Sequence, residues 1–370
     1  MDIYWYWPYL RPEHLALVDA VPRPGDTLVV HTIPDRIAPA DRDRGAVRIE
    51  ATLPEVGRER ERSLRWFASR ATTYPRRARA RDALARNGFD IAHVVFLNRL
   101  TDWYSLAPLG RHVPLVTTVH DVVPHETRLP ATLERRLLAR TYATAGEIVV
   151  HHPSIADRLA GEFAVDRGRL HEIPHWVLPS PHESRGRPSD RPTVLCFGAF
   201  RRNKGIDVLL DAIRRDRDLD ATFVIAGRGA PEIEASVRAA ADADDRIHAE
   251  IGYVATERKH ELYRACDLVV LPYTDFSSQS GVLHDAYAHG RPVVATDVGA
   301  LGSSVRDDAT GWVVAPGNPD AITRALRAAL GDHDAWRAAT AACERVRHER
   351  RPEAVGAAFA ALYERTIAER

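Results

Sequence analysis

Short apolar runs alternate with stretches of helical period along almost the whole chain. In the first half, runs at 2–6, 27–32, 91–97, 114–120, 147–151 and 170–173 are rich in Val, Ile, Leu and aromatic residues, the pattern of strands buried on both faces. Apolar residues recur at three- and four-residue spacing over 13–20, 58–70, 76–87, 131–145 and 153–163, which predicts helices between those strands. The second half repeats the alternation, with strands near 193–197, 221–226, 247–251, 268–271, 292–296 and 312–314. Its helices are expected near 205–216, 231–243, 256–266, 281–289, 319–330 and 333–347. Strand and helix alternating in this way form a parallel sheet covered on both faces. The stretch PSPHESRGRPSDRP at 179–192 carries no apolar period and reads as a linker. The pattern therefore predicts two doubly wound α/β domains, over 1–180 and 190–352, and a last helix at about 353–370 that could pack back on the first. Ligands of such sheets bind beyond the carboxyl ends of the strands, here in a cleft expected between the halves.

Length and composition agree with this division. A chain of 370 residues exceeds what one core usually supports. Formal net charge is zero, which gives no electrostatic footprint of a nucleic-acid binder. No apolar run is long enough to cross a membrane, and MDIYWYWPYL reads as a first strand, not a basic leader, so a cytoplasmic protein is expected. Cys196, Cys266 and Cys343 are scattered, as reduced buried thiols are. Among 51 basic residues only Lys204 and Lys259 are lysine, so a lysine in a glycine-bearing turn stands out from the background of arginine.

That turn is FGAFRRNKGIDVLLDAI at 197–213. A strand ends at Gly198, and Gly205 opens an amphipathic helix. Arg201, Arg202 and Lys204 lie between them, where a diphosphate would need cations. An ordinary solvated turn would read the same way. The second segment, LPYTDFSSQSGVLHDAYAHGRPVVATDVGA at 271–300, predicts a helix with Ser280 as N-cap and Gly290 as its stop. A helix beginning Ser-Gly offers backbone N–H groups and its positive dipole end to a phosphate. Asp285, one turn on from Gly281, is placed to accept from ribose hydroxyls.

With these two segments the sequence resembles the family 4 retaining glycosyltransferases, which have the α/β GT-B architecture. Gly198 followed by Lys204-Gly205 matches the family's Gly and Lys-Gly pair, and Ala226, Gly227, Arg228 and Gly229 match its AGxG strand end. Gly252, Tyr253 and Val254 match the segment near the nucleobase, while GRPVVAT at 290–296 and TGWVV at 310–314 complete the order. The family's first Glu is Ser277 here, and the loop SSQSGV resembles a branch with Gln-Ser-Gly in its place. The resemblance thus implies donor contacts from Ser278, Gln279, Ser280, Gly281 and Val282 beside Asp285. The Arg usual after the first Gly is Ala199, which leaves Arg201 or Arg202 to the diphosphate.

In the first half, PLVTTVHDVVP at 114–124 ends a strand in His120-Asp121. A capped structural imidazole fits that position; the resemblance implies instead that His120 contacts the donor sugar, with Asp121 ordering the acceptor loop. Trp7 and Tyr9 follow the first strand and, with Trp5, are suited to stacking on an acceptor or to core packing. Residues 58–86 hold ten Arg against three acidic residues, with Leu64, Trp66 and Phe67 among them, and could touch an anionic membrane. No pair of carboxylates is placed as nucleophile and acid. The resemblance implies front-face retaining transfer, with Lys204 and an adjacent Arg stabilising the leaving phosphate. No metal and no other cofactor is expected, since the Asp-x-Asp sites at 41–43, 216–218 and 242–244 lie in polar or helical stretches. The expected function is transfer from a nucleoside-diphosphate sugar, UDP-linked by preference, to a hydroxyl acceptor. A sugar-nucleotide epimerase of the same architecture and a catalytically degenerate donor-binding protein are the alternatives.

Overall fold

The computed structural model describes residues 1–56, 63–98, 100–123, 130–178, 180, 191–276 and 280–370. They form two compact units, Met1–Trp176 with Pro352–Arg370, and Val177–Arg351. Most of the expected linker at 179–192 lies outside the described residues.

The first unit is built in chain order from β1 (Asp2–Tyr6), α1 (Leu15–Ala20), β2 (Thr27–His31), β3 (Asp43–Arg44), β4 (Val47–Glu50), α2 (Leu64–Ala85), β5 (Ile91–Val94) and α3 (Asp102–Gly110). It continues with β6 (Leu115–Thr118), α4 (Ala131–Ala143), β7 (Glu147–Val150), α5 (Pro153–Phe163) and β8 (Leu170–Glu172). The strands lie in the order β3-β4-β2-β1-β5-β6-β7-β8. All neighbours are parallel except the short β3, which runs against β4. Strand order reverses between β1 and β5, so loops from the two leave in opposite directions and open a crevice at their carboxyl ends. Two of the helices expected from periodicity, 58–70 and 76–87, are one helix, α2, with Pro75 inside it. A proline there removes a single hydrogen bond, and Trp66, Thr73, Arg77, Ala78, Arg81 and Ala85 bury a continuous face that offsets the loss.

The last helix, α13 (Pro352–Ala368), belongs to this unit and buries Val355, Phe359, Leu362 and Tyr363. The Trp5 indole N–H donates to the Tyr363 hydroxyl at 2.9 Å, and that hydroxyl meets His93 Nδ1 at 2.6 Å. The network runs on from His93 Nε2 to the Thr118 hydroxyl at 2.8 Å, so a helix from the end of the chain is tied to three strands of the sheet.

The second unit holds β9 (Thr193–Phe200), α6 (Ile206–Arg215), β10 (Thr222–Gly229), α7 (Pro231–Ala243), β11 (Ile247–Ile251), α8 (Thr256–Ala265) and β12 (Leu268–Leu271). Then come α9 (Gly281–Ala288), β13 (Val293–Thr296), α10 (Gly299–Asp308), β14 (Gly311–Val314), α11 (Pro319–Gly331) and α12 (His333–Glu349). Its sheet is parallel throughout in the order β11-β10-β9-β12-β13-β14, the doubly wound arrangement with its reversal between β9 and β12. Strands β9, β12 and β13 are apolar on both faces but for Thr193 and Thr296 at strand ends, because helices cover both, with Leu209, Ile213 and Leu326 packed on one side and Leu283, Tyr287 and Leu301 on the other.

Candidate functional site

In the second unit the cationic turn and the polar loop emerge from β9 and β12, the two strands that flank the reversal. The chain stitches these loops together. Thr274 N–H donates to the Asn203 carbonyl at 3.0 Å, and the Asn203 side-chain amide donates to the Asp275 carbonyl at 3.0 Å. Gly205 makes the close approach possible: its φ is +62°, and a Cβ there would lie 1.9 Å from the Pro272 carbonyl oxygen. Gly227, at the end of β10, has φ +145° and no room either, since a Cβ would meet the Gly198 carbonyl oxygen at 1.8 Å.

This scaffold places the Lys204 ammonium 3.6 Å from the centre of the Tyr273 ring and 4.4 Å from that of Phe276. Two aromatic faces hold the cation by their ring quadrupoles while excluding water around it. Burial, with the Arg201 charge adding to it, lowers the Lys204 pKa to about 8. A lysine so placed gains from any anion that arrives. Arg201 and Arg202 are exposed beside it, and Arg202 reaches Glu232 at 3.4 Å.

Ser280 stands at the N-cap of α9 but does not cap it: its hydroxyl pairs with that of Tyr273 at 2.9 Å, inside the protein. Tyr273 therefore holds both Lys204, through its ring, and the start of α9, through its hydroxyl. Gly281 and Val282 form the first turn of that helix, and a Cβ on Gly198 would touch the Val282 side chain at 3.4 Å, so the end of β9 abuts the helix start. Asp285, one turn on, forms an ion pair with Lys259 of α8 at 3.0 Å, both half-buried. Both lysines of the chain thus stand in the second unit within this set of loops and helices. The backbone carbonyl of Asp285 accepts from His289 Nδ1 at 2.8 Å, and His289 Nε2 meets His260 Nδ1 at 2.9 Å. At the rim, the Arg228 guanidinium lies 5.5 Å from the ring centre of Tyr253, which is 76% exposed. Val254 packs against the core. Ser278 and Gln279 lie outside the described residues, as does Ser277. Lys259, Asn203 and Tyr273 were missed in the sequence; the rarity of lysine marked Lys259, but nothing in its helix tied it to Asp285.

The first unit carries a cavity of about 600 Å³ over the carboxyl ends of β1, β5 and β6. Tyr6 ends β1 and Pro8 and Tyr9 come from the loop after it, Phe96 to Asn98 from the loop after β5, and Thr118 to Asp121 from the end of β6 and the loop beyond it. Helix α2 roofs it with Trp66, Phe67, Arg70 and Tyr74. His120 lines the wall, its ring stacked on Phe96 with centres 4.3 Å apart. Its Nε2 donates to the Val95 carbonyl at 3.0 Å, which leaves Nδ1 as an acceptor. Burial, with His151 and His175 nearby, holds the imidazole pKa well below its ordinary value, so the ring is neutral at physiological pH. Asp121 also lines the cavity, and Tyr142 donates to the next carbonyl, that of Val122, at 2.7 Å.

Two expectations change here. Trp7 is buried, with 1% of its surface exposed, stacked on His14 at 4.8 Å and edge-on to Trp176. It belongs to the core, not to the wall an acceptor would touch, and of the aromatic residues expected to stack on an acceptor Tyr9 alone lines the cavity. The basic segment 58–86 is not a uniform surface face. Arg81 is buried with Asp102 at 2.8 Å and the Ser105 hydroxyl at 2.8 Å, and Arg77 is buried and donates to the Pro54 carbonyl at 2.6 Å. Residues 57–62 lie outside the described residues. No described helix is long and apolar enough to cross a membrane, and no metal-binding group of three or more His, Cys, Asp or Glu occurs among the described residues.

Comparison with known proteins is consistent with this geometry. Residues 15–180 match the family model of Glycosyltransferase Family 4, and residues 191–332 that of glycosyl transferases group 1. A D-inositol 3-phosphate glycosyltransferase of Nocardia farcinica is 30% identical over 257 residues, which cover 61% of this chain and 55% of that one. A GDP-mannose:glycolipid 4-beta-D-mannosyltransferase of Xanthomonas campestris pv. campestris is 30% identical over 207 residues, 54% of this chain and 55% of that one. The matched stretch thus spans about half the length of these relatives. In fold, the chain is similar over its full length to a sucrose-phosphate synthase from Thermosynechococcus elongatus, with a TM-score of 0.75 and 20% identity, covering 100% of both chains. It is similar also to Anabaena HepE, whose structure was solved in complex with UDP-glucose, with a TM-score of 0.68 and 14% identity, again over 100% of both. Two family models in chain order, on a two-unit framework of this topology, place the protein among the family 4 glycosyltransferases of GT-B fold.

Proposed function

We propose that the protein transfers a sugar from a nucleoside-diphosphate sugar, UDP-linked by preference, to a hydroxyl acceptor with retention of the anomeric configuration. The observation that carries this reading is the desolvated Lys204 ammonium, held on Tyr273 and Phe276 where β9 and β12 diverge. A diphosphate there pairs with Lys204 and with Arg201 or Arg202, and takes N–H bonds from the first turn of α9. Asp285, braced by Lys259, accepts from the ribose hydroxyls, and Tyr253 lies at the nucleobase. In the reaction the bond from the anomeric carbon to the diphosphate oxygen breaks with its electron pair on that oxygen. The acceptor oxygen bonds to the same carbon, and its proton leaves on the departing phosphate. Cationic side chains stabilise the charge that develops, which is the role a divalent ion fills in other transferases. A thermal-shift panel of UDP, GDP and dTDP with their sugars tests the reading: UDP compounds should raise the melting temperature, and no shift with any nucleotide would sink it.

The first turns of α2 expose Leu64 and Phe67 beside Arg65, which supports a peripheral contact with anionic membrane smaller than the segment 58–86 as a whole. Flotation with anionic vesicles at low salt tests it; protein left at the bottom of the gradient would exclude it.

A further inference from the structure

We propose that the cavity of the first unit receives a compact, apolar, ring-bearing alcohol or phenol as the acceptor, an assignment that rests on the glycosyl-transfer reading above. Its volume of about 600 Å³ falls within the range that encloses a molecule of a few rings. Its walls are aromatic. Tyr9 and Phe96 meet edge-to-face with ring centres 5.4 Å apart, and Trp66 and Phe67 do the same at 4.9 Å. Phe96 carries His120 on one face and Trp66 carries Arg70, so the ring surface on which a guest ring stacks is chiefly that of Tyr9 and Phe67. Tyr9 and Phe67 are 43% and 52% exposed, so an apolar guest would remove ring surface from water that the fold leaves wet.

The polar groups of the same cavity narrow the choice. A free sugar with several hydroxyls is bound by several acceptors, and Asp121 is the one carboxylate among the described lining residues. A phosphorylated acceptor needs available cations. The Arg70 guanidinium lies 3.8 Å from the Trp66 ring centre and donates to the Trp66 carbonyl at 3.3 Å. Arg77 is buried and donates to the Pro54 carbonyl. Each spends part of its guanidinium on holding the roof in place. His120 stands at the polar end, with Nε2 bonded to Val95 and Nδ1 left as an acceptor. One hydroxyl donating to that nitrogen satisfies it, and neither a second hydroxyl nor a charge on the guest is required. In the transfer the guest's oxygen bonds to the anomeric carbon as the bond to the diphosphate breaks, and its proton passes to the leaving phosphate.

The test uses the full chain with 2-naphthol, glucose, an inositol phosphate and a polyprenyl phosphate in neutral vesicles. Calorimetry without donor reads occupancy of the cavity, and product formation with the best donor from the nucleotide panel reads transfer. The expected result is binding and glycosylation of 2-naphthol. Tyr9→Ala and Phe67→Ala should each raise its dissociation constant about tenfold, the scale of one lost aromatic contact, and raise KM with kcat retained. Both side chains are partly exposed, so the variants keep the core, and circular-dichroism spectra and melting temperatures matching those of the native chain show that they fold. Glucose, the inositol phosphate or the polyprenyl phosphate turned over while 2-naphthol neither binds nor reacts would overturn the assignment and leave the transfer reading standing. Binding of 2-naphthol in a chain that consumes no sugar nucleotide would overturn the transfer reading and the guest's role as acceptor with it.

Discussion

The Lys204 ammonium stands 3.6 Å from the centre of the Tyr273 ring, whose hydroxyl meets Ser280 at the start of α9 at 2.9 Å. One tyrosine therefore couples the cation expected to hold a diphosphate to the helix whose N–H groups would share it.

Nucleotide affinity should depend on pH through Lys204. Its pKa is lowered to about 8 in the free protein, and a bound diphosphate favours the charged form, so binding takes up a proton near pH 8. Affinity is fullest below pH 8 and falls as pH rises above it, by at most about tenfold per unit. Calorimetry from pH 7 to 10 should show the decline in the native protein and a flat profile in Lys204→Arg.

Gly205→Ala should disable the proposed donor site. The added Cβ meets the Pro272 carbonyl at 1.9 Å in a backbone conformation that costs a non-glycine residue about 1 kcal/mol before the clash is counted. The stitched loops must then separate. The expected outcome is loss of nucleotide-induced thermal stabilisation with a folded circular-dichroism spectrum; full nucleotide binding would contradict it.

Acid should unfold the first unit. His93 is held neutral by burial with a pKa of about 3, and His31 and His151, likewise buried, with pKa values of about 4. Each is lower than the unfolded value of about 6.5. Their contribution is fully present above pH 6.5 and is lost as pH falls toward 4, at up to about 1.4 kcal/mol per pH unit for each. Urea midpoints between pH 7 and 4.5 should fall steadily, and His93→Gln should lessen the slope.

Arg81→Met should destabilise the protein by about 3–5 kcal/mol, because it strands the Asp102 carboxylate, 1% exposed, without its cation. Arg167→Met, which breaks an exposed pair with Asp157, should cost less than about 1 kcal/mol. Chemical denaturation of the two variants separates the cases.

Most of the sheet was legible because strands covered on both faces read as apolar runs, unbroken in Leu268–Leu271 and broken only by the last residue in Val293–Thr296. What the pattern hid had a local cause. β4 alternates Val47, Arg48, Ile49, Glu50 near the sheet edge and is too short to register. α3 and α10 carry Pro108 and Gly110, or Gly299 and Gly302 with two serines, and are helical because burial of Leu106 and Leu109, or of Leu301 and Val305, outweighs poor propensity. In the loops proposed to hold the donor, Lys204, Gly205 and Asp285 stood out in sequence by residue type. Tyr273 and Phe276, which hold Lys204, and Lys259, which holds Asp285, did not, since each acts through a contact made only in the folded chain. Trp7 misled for the converse reason: an aromatic residue after the first strand suits a ligand wall and a core equally, and its neighbours His14 and Trp176 decide for the core.

The central claim is tested most directly by release of nucleoside diphosphate from UDP-, GDP- and dTDP-sugars by the full chain in the presence of EDTA, beside its Lys204→Ala variant. The native protein should consume a UDP-sugar, and the variant should be slower by about a hundred- to a thousandfold, the scale of losing one group that stabilises developing charge. Equal turnover by the two proteins, or no consumption of any sugar nucleotide by the native chain, would contradict it.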